Sequence, residues 1–146
     1  MKEKLLTILT VVLIGVLLVL LQSCKKDDPE PDDLSVFTNK ISQTWKVSRA
    51  TLDDVDVSGS FKNMSITFRE DQVYSVANAV SPIWPSNGSF EIIQSGDNQY
   101  DIKRSDGVMI NVTSLTDASV VLELLYTSKS GRVSEVSGHY KFELTR

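Results

Sequence analysis

Ser105-Asp106-Gly107-Val108-Met109-Ile110-Asn111-Val112-Thr113 decides how this chain is read. Aspartate followed by glycine tolerates the positive φ angles that a tight hairpin needs. After it, Val108, Ile110 and Val112 alternate with Met109, Asn111 and Thr113. A period of two places each set on one side of a strand. The segment therefore predicts a turn leading into a half-buried β-strand.

The same grammar extends in both directions. Val120, Leu122, Leu124 and Tyr126 form one face of the next run, and Tyr140, Phe142 and Leu144 one face of the last. Upstream, Tyr100 and Ile102 flank Asp101, Phe90 and Ile92 flank Glu91, and Tyr74 and Val76 flank Ser75. Met64, Ile66 and Phe68 alternate with Ser65, Thr67 and Arg69. Turn residues at Glu70-Asp71, Gly96-Asp97-Asn98, Thr116-Asp117 and Ser130-Gly131 separate these runs at hairpin spacing. Nearest-neighbour hairpins throughout predict an all-β fold, an up-and-down antiparallel barrel of eight or nine strands. An open two-sheet sandwich is the structural alternative. The runs fall near 45–50, 55–58, 63–69, 73–78, 89–94, 99–104, 108–115, 119–127 and 133–145.

Ahead of the strands, Leu34, Phe37 and Ile41 recur at helical spacing behind Asp32 and Asp33, which suit a helix start. One short amphipathic N-terminal helix laid against an end of the barrel is expected.

The beginning of the chain is an address rather than a fold. Lys2 and Lys4 precede seventeen uncharged, mostly apolar residues, Leu5 to Leu21, and Leu21-Gln22-Ser23-Cys24 follows directly. An aliphatic residue three before a cysteine and a small one just before it resemble a lipobox. Residues 1–23 are therefore read as a lipoprotein signal peptide, and Cys24 as the lipidation site that holds the chain to a membrane. Cys24 is the sole cysteine, so no intramolecular disulfide forms. Each buried methylene of an added acyl chain contributes about 0.8 kcal/mol, which makes two or three chains a firm anchor.

Residues 24–33 read as an acidic flexible tether. Two lysines, five acidic residues and two prolines offer no apolar surface to bury. As a flexible chain it would hold the domain about 15–20 Å from the bilayer. Lys25-Lys26-Asp27-Asp28 resembles the surface-export signal of Bacteroidota lipoproteins, which implies an outer-membrane protein facing the cell surface. Cleavage leaves 123 residues at net charge −5, with residues 34–146 forming one domain. The acidic balance and the lack of a basic stripe exclude a nucleic-acid partner.

Beyond its anchor, residues 40 to 146 are similar to the small lipocalin-like, calycin-type lipoproteins. Trp45 in Gln43-Thr44-Trp45-Lys46-Val47, Trp84-Pro85-Ser86-Asn87-Gly88-Ser89-Phe90, Arg104-Ser105-Asp106-Gly107-Val108, Ser114-Leu115-Thr116 and Gly138-His139-Tyr140-Lys141-Phe142-Glu143-Leu144 carry the resemblance. Lipocalins usually carry glycine two residues before the first tryptophan, where this chain has Gln43. The resemblance implies a lumen for a small hydrophobic molecule.

Catalytic chemistry has little to draw on. His139 is the only histidine and lies on the outward parity of the last strand. Asp53, Asp54 and Asp56 lack the ligand ladder of a calcium loop and read as a solvated hairpin turn. The expectation is a monomeric, non-catalytic protein without cofactor or metal. It binds a small apolar or amphipathic ligand, or else meets an envelope protein or glycan through a plugged barrel.

Four aromatics are the candidate ligand residues: Trp84, Tyr74, Tyr100 and Tyr126. Trp84 sits between prolines in the longest interstrand loop, either as a rim that stacks on a ligand or as a plug over the core. Trp45, Phe68, Tyr74, Phe90, Tyr100, Tyr126, Tyr140 and Phe142 all point inward by parity. So many rings predict a filled interior, with at most a small cavity near Trp84. On the outward parity, Met109, Val121 and Leu125 are apolar, as a docking patch or as ground beneath the helix.

Overall fold

A computed structural model describes residues 32–128 and 136–146. The signal-peptide segment, Cys24, most of the tether and the Ser130-Gly131 turn lie outside the described residues. Helix α1 (Asp33–Ile41) precedes strands β1 (Thr44–Leu52), β2 (Val55–Asp56), β3 (Ser65–Phe68), β4 (Val73–Ala77), β5 (Asn87–Gly96), β6 (Gln99–Arg104), β7 (Met109–Leu115), β8 (Ser119–Tyr126) and β9 (Gly138–Thr145). A single turn of 3-10 helix, Ser58–Phe61, lies between β2 and β3.

All pairings are antiparallel, and β1 closes the ring. Its start pairs with β3 through Trp45↔Ile66, and the rest pairs with β9 from Lys46↔Thr145 to Leu52↔Tyr140. A bulge between Val47 and Arg49 bends β1 so that it can serve both neighbours. The product is a closed eight-stranded barrel, with β2 added as a short ninth strand on the end of β1. Closure leaves no long sheet edge, and it settles the choice against an open sandwich.

The turns form where the residue types allow them. Asp53 and Asp54 take φ of 48° and 67° between β1 and β2, and Asn98 takes 56° between β5 and β6. At Asp106-Gly107, Gly107 has φ +91° and donates its N–H to the Arg104 carbonyl at 2.9 Å. Asp106 Oδ1 accepts the Val108 N–H at 3.2 Å.

Period-two alternation fills the interior as expected. In β8, Val120, Leu122 and Leu124 are buried between less buried neighbours. The same parity buries Ile66 and Phe68, Ile102, Ile110, Phe142 and Leu144 in one continuous core. Each such aliphatic or aromatic side chain contributes about 1.5–3 kcal/mol on leaving water. Phe142 stands at its centre, with Phe61 edge-on at 4.9 Å and Trp84 edge-on at 5.9 Å.

Helix α1 meets this core at its C-terminal end. Ile41 is fully buried, its carbonyl accepts the Trp45 indole N–H at 2.9 Å, and Phe37 packs on Tyr100. The expected apolar stripe is shorter than its spacing suggested, because Leu34 stays 40% exposed. The expected side-chain cap is also absent. Asp32 contributes its carbonyl instead, accepting from the Ser35 hydroxyl at 2.6 Å and the Val36 N–H at 3.1 Å. The acidic residues act there through charge beside the positive helix end.

Candidate functional site

The four candidate aromatics do not converge. Trp84 is fully buried, in a loop that folds onto the core, with its backbone N–H donated to the Val80 carbonyl at 2.9 Å. Its ring meets Tyr74 edge-on at 6.2 Å and Phe142 at 5.9 Å. It occupies the plugging position of the two that its loop allowed, and its indole N–H finds no hydrogen-bond partner among the described residues. Tyr74 is buried beside it, between Trp84 and Phe68.

A residue with no role assigned from sequence organises this plug. Arg104 has a fully buried side chain, on the inward parity with Ile102. Its guanidinium lies 5.2 Å from the Trp84 ring centroid and 5.9 Å from that of Tyr74. Nη1 donates to the Ile83 carbonyl at 2.6 Å, and Nε and Nη2 hold the Asp106 carboxylate. Burial alone would raise the Asp106 pKa, but the hydrogen bonds from Arg104 and the Val108 N–H bring it below the ordinary carboxylate value. Burial pushes the Tyr74 phenol up, against the opposing field of Arg104. These contacts hold the Trp84 loop against the core.

Tyr126 and Tyr100 depart from the inward filling expected of them. Tyr126, at the end of β8 opposite Gly138, is half-buried and near Tyr140. Tyr100, at the start of β6, is half-buried.

A cleft lies beside Tyr100. β6 pairs with β5 from Gln99 to Arg104, and β7 pairs with β8 from Ile110 to Leu115. Between β6 and β7 the register holds at Ile102↔Ile110 and Lys103↔Met109. Beyond Ile110 the ladder between them ends, and Asp101 Oδ1 accepts the Val112 N–H at 3.1 Å where a strand carbonyl would ordinarily do so. A bulge between Val112 and Ser114 turns β7 further aside.

The cleft has a volume of about 720 Å³ and opens beside α1. Tyr100, Phe37, Val112 and Leu115 form its apolar part, with the Tyr100 and Phe37 rings tilted at 5.1 Å. Asn98, Gln99, Asp101, Asn111 and Thr113 add polar groups, and Asp33 and Lys40 look in from the helix. Lys40 Nζ is 3.8 Å from Asp117. Burial first, then the fields of Asp32 and Asp33, push the Tyr100 phenol up, so it remains a neutral donor and acceptor at ordinary pH.

Tyr100 is thus the one sequence-predicted ligand residue that lines the cleft. Its partners there, Phe37, Asp101, Asn111 and Thr113, were not singled out from sequence. Among the described residues no cluster of three or more histidine, cysteine, aspartate or glutamate side chains has metal-binding geometry. No described helix is long and apolar enough to cross a membrane.

Compared with family models, curated proteins and solved structures, the chain matches none of them.

Proposed function

We propose that this chain is a membrane-anchored, non-catalytic lipoprotein, and that its lipocalin-like barrel carries a small amphipathic ligand in the cleft beside Tyr100. The anchor rests on Leu21-Gln22-Ser23-Cys24 behind an apolar run, and the surface address on Lys25-Lys26-Asp27-Asp28. The observation that carries the binding reading is the contrast between a packed barrel interior and a cleft of about 720 Å³ outside it. That volume falls within the range of about 300–1,000 Å³ usual for small-molecule pockets. The lumen that the lipocalin resemblance implies for a hydrophobic ligand is occupied by Trp45, Phe68, Phe142 and their neighbours.

A second reading has its own observation. Leu125 is 67% and Met109 40% exposed, and the β7–β8 register sets them opposite each other on the outer face. They support an envelope-protein docking patch in place of ligand carriage. Glu123 separates Leu125 from Val121 on that face, so the apolar area is small.

Two experiments test the proposal. Cys24→Ala should move the protein from the membrane fraction to a soluble or unprocessed form, and neutralising Lys25 to Asp28 should hide the domain from protease added to intact cells. Unchanged fractionation and unchanged protease access contradict the anchor and the address respectively. For the cleft, chemical-shift mapping of the 15N-labelled domain against a fragment library should move the amides of Tyr100 and Asn111 to Leu115. Shifts centred on Phe68, Ile110 and Leu122 would place binding in the lumen instead.

A further inference from the structure

Resting on that reading of the cleft, we propose that its ligand is a neutral saccharide, one sugar ring seated against Tyr100 and Phe37.

Other ligand classes fit the walls poorly. An acyl chain needs a deep apolar channel, but the core beneath the cleft is filled and Asn98, Asn111 and Thr113 border it. Phosphate or carboxylate ligands would meet Asp33 and Asp101, with Lys40 the sole cation among the described lining residues and Asp117 already beside it. An extended peptide inserted between β6 and β7 is too wide. Adding a strand there requires about 9.5 Å between the flanking backbones. Asp101 spans the gap with one side chain, which reaches about 3.5 Å from its Cα, and a bond of 3.1 Å.

A sugar ring suits the same walls. Its hydroxyls donate and accept together, and the side-chain amides of Asn98, Gln99 and Asn111 do likewise. The Asp101 carboxylate has acceptor capacity beyond its bond to Val112, and the Tyr100 hydroxyl adds another neutral partner. The C–H face of a pyranose is weakly positive and apolar, which matches the negative face of an aromatic ring. Phe37 and Tyr100 supply two such rings at one wall, tilted at 42°. Both come from packed elements, one from the helix and one from the sheet, so the pair is set before a ligand arrives.

Asp32–Arg146 forms a compact unit by itself, so the domain from Lys25 onward serves for the test. The probes are the methyl glycosides of glucose, galactose and mannose, N-acetylglucosamine, dodecanoate and putrescine, each titrated while amide shifts are followed. At least one sugar should bind with millimolar Kd and shift Gln99, Tyr100 and Asn111 to Ser114. Tyr100→Ala should weaken that binding about tenfold, equivalent to about 1.4 kcal/mol, and Tyr100→Phe should weaken it less. Unchanged thermal unfolding of each variant separates lost binding from lost fold. If dodecanoate or putrescine moves these amides and no sugar does, the saccharide assignment is overturned while the cleft remains a ligand site. If none of the probes moves them, both readings fall.

Discussion

The guanidinium of Arg104 lies 5.2 Å from the ring centroid of Trp84, and both side chains are fully buried. Arginine is hardly ever buried without partners, and here it has the Ile83 carbonyl, the Asp106 carboxylate and two aromatic faces. The pair packs the loop that carries Trp84 onto the core, and neither residue lines the cleft beside α1.

Arg104→Ala removes the stacking partner and strands the Ile83 carbonyl in the core. An unsatisfied buried acceptor costs about 1–3 kcal/mol, and a desolvated cation–π contact contributes up to about 2 kcal/mol. Urea unfolding should show a loss of about 3 kcal/mol. Trp84→Phe should cost less than Trp84→Ala, about 3–5 kcal/mol for the latter, because the indole N–H has no hydrogen-bond partner among the described residues to lose. Equal losses for phenylalanine and alanine at position 84 would contradict the packing account.

Much of this fold was legible in the sequence, and the reasons are local. Alternation in Val120 to Tyr126 and Tyr140 to Leu144 fixes which face is buried, and Asp106-Gly107 fixes a hairpin, because both depend on neighbours in the chain. Arg104 left a readable signal, since it shares the inward parity of Ile102, but a charge on an apolar face names no partner. The cleft left a fainter one: the inward residues run Ile110, Val112, then Leu115, and that odd spacing marks the bulge. The end of the ladder between β6 and β7 depends on hydrogen bonds between strands, which a pattern along one strand does not encode. Trp84 drew attention as a large aromatic in a long loop, but whether such a ring seals a core or faces a ligand is set by Arg104, Tyr74 and Phe142, all distant in sequence.

Stability should have an acid and an alkaline limb with identifiable owners. Asp106 has a folded pKa below its ordinary 3.8, so its contribution is full above about pH 4 and is lost as pH falls through the folded value. Tyr74 and Tyr140 have pKa values above the ordinary 10.0, raised by burial first, so their contribution is full below pH 10.0 and lost as pH rises past it. Asp106→Asn should flatten the urea-midpoint profile below about pH 4 and leave the alkaline limb unchanged. An unaltered acid limb in that variant assigns it to other carboxylates.

Gly138 and Gly107 both have positive φ, but the space around them differs. A Cβ on Gly138 would stand 2.4 Å from Leu52 Cδ1 and 2.6 Å from Asp53 Oδ2, the side chain whose Oδ1 accepts the His139 N–H. At Gly107 nothing lies within 4 Å. Gly107→Ala should therefore cost the backbone term alone, about 1–2 kcal/mol. Gly138→Ala adds a collision to which the ends of the Leu52 and Asp53 side chains must yield, disturbing the bond to His139, so its loss should be the larger of the two. Denaturant midpoints of the two variants measure the difference directly.

The central claim is that the ligand site lies in the cleft beside Tyr100 and not in the barrel interior. Thr113 is exposed on the cleft wall, and tryptophan suits a strand position, so Thr113→Trp fills the cleft without disturbing the core. Phe68→Leu does the opposite: it loosens the core far from the cleft wall in sequence and loses about 1–2 kcal/mol of stability. The deciding measurement is amide-shift titration of both variants with the fragments that bind the unaltered domain. The account predicts that Thr113→Trp abolishes binding at unchanged stability, while Phe68→Leu lowers stability and leaves binding intact. Binding retained in Thr113→Trp and lost in Phe68→Leu would contradict it.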